Sequence, residues 1–165
     1  WLKHTFKRIP EVEKATLPKK FGNAILYVDA AVELQKEKQR IPWAKEFDEV
    51  QTAEDVSYSL QSGDCWKDGK HSVWAGSELE FHLTCPEGMM GTLLVSFNDY
   101  NHMKRKGILD FEGRKSMLGT HAGKEYWVRF HVMREDSNDG KLIFRSRVES
   151  GENLMINSIV LLKED

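Results

Sequence analysis

The chain has 165 residues, 40% of them hydrophobic, which is enough for one domain with its own core. Its 24 basic and 26 acidic side chains leave a formal charge of -2, so nothing electrostatic points to a nucleic-acid partner, and an uncharged or polar ligand fits better. No stretch approaches the roughly 20 apolar residues of a membrane span, and residues 1 to 20 lack the apolar centre of a signal peptide.

In chain order, residues 1 to 46 read as an N-terminal extension or a linker from a preceding domain. The start at Trp1, without an initiating Met, reads as a trimmed or excised fragment of something longer. LKHTFKRIPEVEKATLPKKFG is charged and broken by proline. The apolar run Ala24 to Leu34 fits a strand at ILYV or a short helix continuing into QKEKQR, which Pro42 would end near Arg40. Trp1, Phe6, Ile9, Phe21 and Trp43 give this segment an apolar side that packs against, or leads out of, that preceding domain.

Residues 47 to 165 change character. Seven β-type runs follow, separated by Gly, Asn and Asp: VSYSL (56 to 60), SELEFHLTC (77 to 85), GTLLVSF (91 to 97), GILDFEG (107 to 113), EYWVRFHVM (125 to 133), KLIFRSRV (141 to 148) and LMINSIVLL (154 to 162). This spacing predicts an antiparallel sandwich or barrel. In SELEFHLTC, Leu79, Phe81 and Leu83 share one face and Glu78, Glu80 and His82 the other. EYWVRFHVM repeats the alternation with Tyr126, Val128, Phe130 and Val132 against Trp127, Arg129, His131 and Met133. The last run is more uniformly apolar and is expected to be covered on both faces. Asp139-Gly140, in the cluster REDSNDGK, marks a tight turn.

The sequence has no GxSxG, HExxH, Walker loop or GxGxxG signature, so nothing in it points to catalysis. A binding site needs less: aromatic faces to stack on a ligand, and planar polar groups to orient its hydroxyls. Two predicted loops supply these types. CWKDGKHSVW carries Trp66 and Trp74 around a Lys-Asp-Gly turn, and FNDYN followed by His102 supplies Asn98, Asp99, Tyr100, Asn101 and His102 directly after an apolar strand; Arg114 lies further on. The plainer alternatives are that both tryptophans plug the core, and that His102-Met103-Lys104-Arg105-Lys106 is a solvated basic hairpin tip. Trp127, opposite the apolar face of its strand, is expected to pack against residues 1 to 50. Left exposed, it would point to a face that braces another domain. Cys65 and Cys85 fit one bridge or two buried free thiols, and lack the spacing of a zinc site. AED (53 to 55), SGD (62 to 64) and SND (137 to 139) are possible calcium donors, none with EF-hand spacing.

The series GxLxVxFxDxN, GxxDFEGRxxxLGxH, YWVRFHVxRED, DGKL and NLMINSIVLL resembles the galactose-binding-like jelly-roll domains appended to bacterial glycoside hydrolases and other carbohydrate-active enzymes. The resemblance covers roughly residues 47 to 165. It implies an all-β, antiparallel jelly-roll β-sandwich behind an N-terminal mixed extension, with sugar-binding loops at one rim and sometimes a structural calcium. The partners it implies are a carbohydrate and the catalytic domain of the same parent protein. The expected function is that of a non-catalytic carbohydrate-binding or accessory domain of a bacterial polysaccharide-processing enzyme, secreted, periplasmic or on the cell surface. The alternatives are a bracing domain without ligand, or the C-terminal fragment of a glycoside hydrolase whose catalytic domain lies outside this chain. The expected ligand residues are Trp66, Trp74, Asn98, Asp99, Tyr100, Asn101, His102 and Arg114.

Overall fold

The structure is a computed structural model that describes residues 24–29, 56–68, 71–121 and 123–164. It is an antiparallel β-sandwich. In chain order its strands are β1 (Ala24–Asp29), β2 (Ser57–Asp68), β3 (His71–Thr84), β4 (Gly91–Asp99), β5 (Lys106–Phe111), β6 (Arg114–Leu118), β7 (Gly123–Val132), β8 (Lys141–Ser150) and β9 (Leu154–Lys163), with a single helical turn α1 (Arg134–Ser137) between β7 and β8.

Each of the seven expected runs falls on a strand except at end residues such as Val56, Cys85, Glu112–Gly113 and Met133, and the structure adds three features. β1 settles the ambiguous run at its start as a strand, paired antiparallel with β9. This piece of the expected extension therefore belongs to the sandwich, whereas a boundary near residue 46 lies outside the described residues. β6 forms a hairpin with β5 through Glu112 (φ 50) and Gly113 (φ 82), two residues of positive φ whose twist matches that of the flanking strands. Finally, CWKDGKHSVW is a hairpin rather than a loop: Cys65 pairs with Trp74, Trp66 with Val73 and Asp68 with His71.

Hydrogen bonding joins the strands in the order β6-β5-β8-β3-β9-β4-β7, with β2 added to β3 and β1 to β9. β3 is long enough to serve two layers. Its Glu78–Thr84 half pairs with Lys141–Arg147 of β8, while Trp74–Gly76 pairs with Leu154–Ile156 of β9. Its partner β2 slips register between Leu60 and Asp64 at the same corner, where Gly63 takes φ 121. A bulge is the usual way a strand bends from one layer to the next. No side chain fits there, because a Cβ on Gly63 would run into the Trp74 indole and Leu79.

Between the layers lies an aromatic core. Phe81 of β3 stacks on Phe144 of β8 with centroids 4.7 Å apart, and Phe144 meets Phe130 of β7 at 5.6 Å and Phe97 of β4 at 6.5 Å. Phe111 of β5 closes the set against Phe130 at 5.5 Å. Offset and tilted pairs of this kind are favoured by ring quadrupoles beyond simple burial. The other face of the β4, β7 and β9 layer is buried too: Leu94, Ser96, Trp127, Ser158 and Val160 are all inaccessible. β9 is thus covered on both sides, as its uniform apolarity predicts. Trp127 is only 4% exposed, so it offers no bare bracing face; the cover expected for it, residues 1 to 50, falls mostly outside the described residues. Cys85 is a free buried thiol whose pKa burial raises to about 11, which favours the free-thiol alternative over a bridge.

Candidate functional site

β4 ends, β5 begins, β6 ends and β9 begins at one end of the sandwich, so the loops joining β4 to β5, β6 to β7 and β8 to β9 share one rim. A cavity of about 350 Å³ opens there, lined by Asp99, His102, Lys104, Thr120 and His121. Its lining side chains are of polar types, although most of the surface they present to the cavity is apolar.

The β4–β5 loop is built on buried polar groups. Asn98 accepts the Tyr100 N–H at 2.8 Å, a local side-chain turn that bends the chain out of β4, and donates from Nδ2 to Asn157 Oδ1 at 3.1 Å. Asp99, 1% exposed, accepts the backbone N–H groups of Met103 (3.0 Å) and Arg105 (3.4 Å) and the Arg105 guanidinium. Burial alone would raise its carboxyl, but these donors outweigh burial and hold it below the usual carboxylate range. Arg105 is therefore no solvated tip residue: it is 3% exposed, and it also donates to Asn101 Oδ1 at 2.5 Å and to Asn153 Oδ1 at 2.9 Å.

Tyr100 is half-buried and packs against Val73, Ala75 and Met155. The two stretches singled out in the sequence therefore do meet, since Val73 and Ala75 belong to the β2–β3 hairpin. Part of the Tyr100 ring serves packing, so its truncation costs some stability. Asn101 and His102 are exposed at the rim.

The remaining expected ligand residues lie elsewhere. Trp74 is a core residue, 1% exposed, its ring 6.0 Å from Phe81, because on β3 it shares the core cluster with Leu79 and Phe81. The Trp66 side chain lies outside the described residues. Arg114 sits at the opposite end of β5, five residues or roughly 17 Å of strand from the rim. It is bound to Asp136 through two hydrogen bonds (2.5 and 2.8 Å) and to the His131 carbonyl (3.1 Å), and its guanidinium lies 5.5 Å from the Phe111 ring centre. It closes the far end of the sandwich and does not join the rim.

Lys104, Thr120 and His121 were not singled out in the sequence reading. His121 is 8% exposed, held between the rings of Tyr126 (5.2 Å) and Phe97 (6.3 Å). Its Nδ1–H donates to the Gly119 carbonyl at 3.1 Å, and Nε2 is buried without a partner in the described structure. The only sequence signal was its place in the GxxDFEGRxxxLGxH series. No group of three or more His, Cys, Asp or Glu side chains gathers as a metal site among the described residues. Segments 62–64 and 137–139 do not combine into one: Asp139 accepts the Lys141 N–H, and 53–55 lies outside the described residues.

Two buried carboxyls weigh most on the acid limit of this fold. Burial opposes ionisation of Asp136, but Arg114 and the Met133 N–H outweigh it and lower its pKa, as Arg105 and the loop N–H groups do for Asp99. A carboxyl lowered on folding contributes stability that is complete above its unfolded value, and that is lost as pH falls through its folded value. Glu112, raised by burial, has the opposite sign: its contribution is complete below its unfolded value and is lost as pH rises through its folded one. Glu80 is lowered too, by its hydrogen bond to Arg145; with three lowered against one raised, Tm is expected to hold between pH 5 and 7 and to drop below about pH 4. Asp136→Asn should flatten part of that drop in a pH series of thermal scans. A wild-type Tm that is unchanged at pH 3 would contradict the assignment.

Fold and rim together define an antiparallel β-sandwich with a loop-built pocket at one end. No family model matches the chain, and no curated protein matches it. Among solved structures it is similar to the CBM35 from Cellvibrio japonicus Abf62 (TM-score 0.42, 16% identity), over 64% of this chain and 93% of that one. It is also similar to the Podospora anserina GH26-CBM35 β-(1,4)-mannanase (TM-score 0.44, 11% identity) and to a Paenibacillus sp. cycloisomaltooligosaccharide glucanotransferase complexed with cycloisomaltoheptaose (TM-score 0.42, 11% identity). Each of these two matches covers 87% of this chain, which spans only 28% and 19% of the two enzymes. Likeness at this level transfers no residue role. Among the described residues no helix is long and apolar enough to cross a membrane.

Proposed function

We propose that this domain is a non-catalytic carbohydrate-binding module, an accessory to a secreted bacterial polysaccharide-processing enzyme such as a glycoside hydrolase. The observation that carries the reading is the rim pocket: about 350 Å³ open at one end, lined by Asp99, exposed His102 and Lys104, Thr120 and His121. Donor and acceptor groups of this kind around a concave opening suit a sugar's hydroxyls. In this reading Asn98 and Asp99 serve as the scaffold beneath, while exposed His102 and Lys104 touch ligand. Trp66 remains a candidate platform on the neighbouring hairpin.

The test is affinity electrophoresis of the folded domain against soluble galactomannan, arabinoxylan, mixed-linkage glucan and polygalacturonate, followed by a glycan array. At least one glycan is expected to bind. His102→Ala and Lys104→Ala, exposed and free of core contacts, should weaken that binding by about tenfold, or 1.4 kcal/mol, with little change in Tm. Silence across panel and array would overturn the reading in favour of a ligand-free bracing domain, as would binding that neither variant alters.

A further inference from the structure

Among the described residues four non-glycine residues have positive φ, and three of them crowd one point: His102 (φ 53), Lys104 (φ 57) and Glu152 (φ 72). This region of backbone space is sterically costly for residues with a Cβ, so such conformations persist only where the surroundings over-determine them. His102 and Lys104 both line the rim pocket. Glu152 lies in a different loop, between β8 and β9.

Arg105, next to Lys104, bonds the neighbours of the other two: Asn101 beside His102 and Asn153 beside Glu152. Its guanidinium reaches Asp99 and Asn101 within its own loop and Asn153 across the gap. The two loops are tied again where Ser150 Oγ donates to the Lys104 carbonyl at 2.8 Å. At Gly151 (φ 88) the chains lie so close that a Cβ would fall 2.8 Å from Arg105 Cα and 2.9 Å from the Met103 carbonyl oxygen. A guanidinium is suited to this work, because its planar fork offers several donors in fixed directions where an ammonium offers a point charge. A buried polar cluster whose members are all partnered imposes one geometry on the chain around it.

We infer that Arg105 and Asn153 are positioning residues of the rim site, holding the β4–β5 and β8–β9 loops as one unit so that His102 and Lys104 line the pocket before any ligand arrives. The site therefore extends to Gly151–Asn153, which neither touch the pocket nor look like ligand residues in the sequence. The value of the arrangement rests on the carbohydrate reading above: a preformed site avoids the entropy of ordering a loop on binding.

The experiment is residue-resolved amide exchange by NMR on the ligand-free chain, for wild type, Asn153→Ala and Arg105→Lys. Asn153→Ala removes one acceptor in the far loop and leaves the Asp99–Arg105 pair in place. The His102, Met103 and Arg105 amides, which donate to the Asp99 carbonyl and carboxylate, are nonetheless expected to exchange faster, on the order of tenfold, with β4 and β9 unchanged. Arg105→Lys should act in the same direction. Unchanged exchange at 102–105 in Asn153→Ala overturns the inference, and so does uniform acceleration through every strand, since the contact would then brace the fold and not the rim. The polysaccharide panel separates the two readings. Coupled exchange without any bound glycan leaves the clasp standing and removes the carbohydrate function; glycan binding with uncoupled loops does the reverse.

Discussion

Phe144→Ala is expected to lower the stability of the domain by about 3–5 kcal/mol, the usual loss for truncating a large buried aromatic. Phe144 is the meeting point of the two layers, stacked on Phe81 at 4.7 Å and touching Phe130 and Phe97 across the core. The strands around it are tied into one hydrogen-bonded order and cannot collapse inward to fill the space. Phe144→Leu keeps much of the volume and should lose less. Equilibrium urea unfolding of both variants checks the pair, and an alanine variant within about 1 kcal/mol of wild type would show that the layers repack freely.

Breaking the buried ion pair at the rim should be as costly. Asp99→Ala leaves the Arg105 guanidinium buried without its carboxylate, a situation that typically costs about 3–5 kcal/mol, a large share of the roughly 5–15 kcal/mol that holds an average domain together. Asp99 also receives two backbone N–H groups, which lose their acceptor together with the ion. Much of the penalty comes from the stranded charge and not from the lost attraction. The double variant Asp99→Ala/Arg105→Ala should therefore be more stable than the sum of the two single losses predicts. Additive losses in a double-mutant cycle would mean that the two groups do not act as a pair.

The strands were readable wherever one face is wet. β3 and β7 alternate because their outer rows, Glu78, Glu80 and His82 or Arg129 and His131, remain partly or fully exposed, and period two follows from the pleat. β6 was not among the seven runs because Arg114–Leu118 is short and its turn is Glu-Gly, where Asn-Gly or Asp-Gly would have signalled a two-residue hairpin. The β2–β3 hairpin was hidden by its own composition, in which two tryptophans and a Lys-Asp-Gly turn look like a ligand loop. At the rim, local chemistry was visible and long-range partnership was not. Asn98 to His102 stand out as a run of polar and aromatic types, but nothing separates Arg105 from the lysines beside it. What distinguishes it is burial against Asp99 and Asn153, and Asn153 lies 48 positions away. Arg114's place away from the rim was hidden for the same reason: its type suits a ligand, while its partner Asp136 comes from α1 at the other end of the molecule.

The division of β3 between two layers has a further consequence. In a sandwich of two independent sheets, either sheet can fray or slide over its neighbour. Here a single strand is hydrogen-bonded into both, to β8 through one half and to β9 through the other, so no cleavage plane runs between the layers. The loss of one layer strips the pairing from the other, and the two should melt as a single cooperative unit. A tether pulling on such a body would load both halves at once.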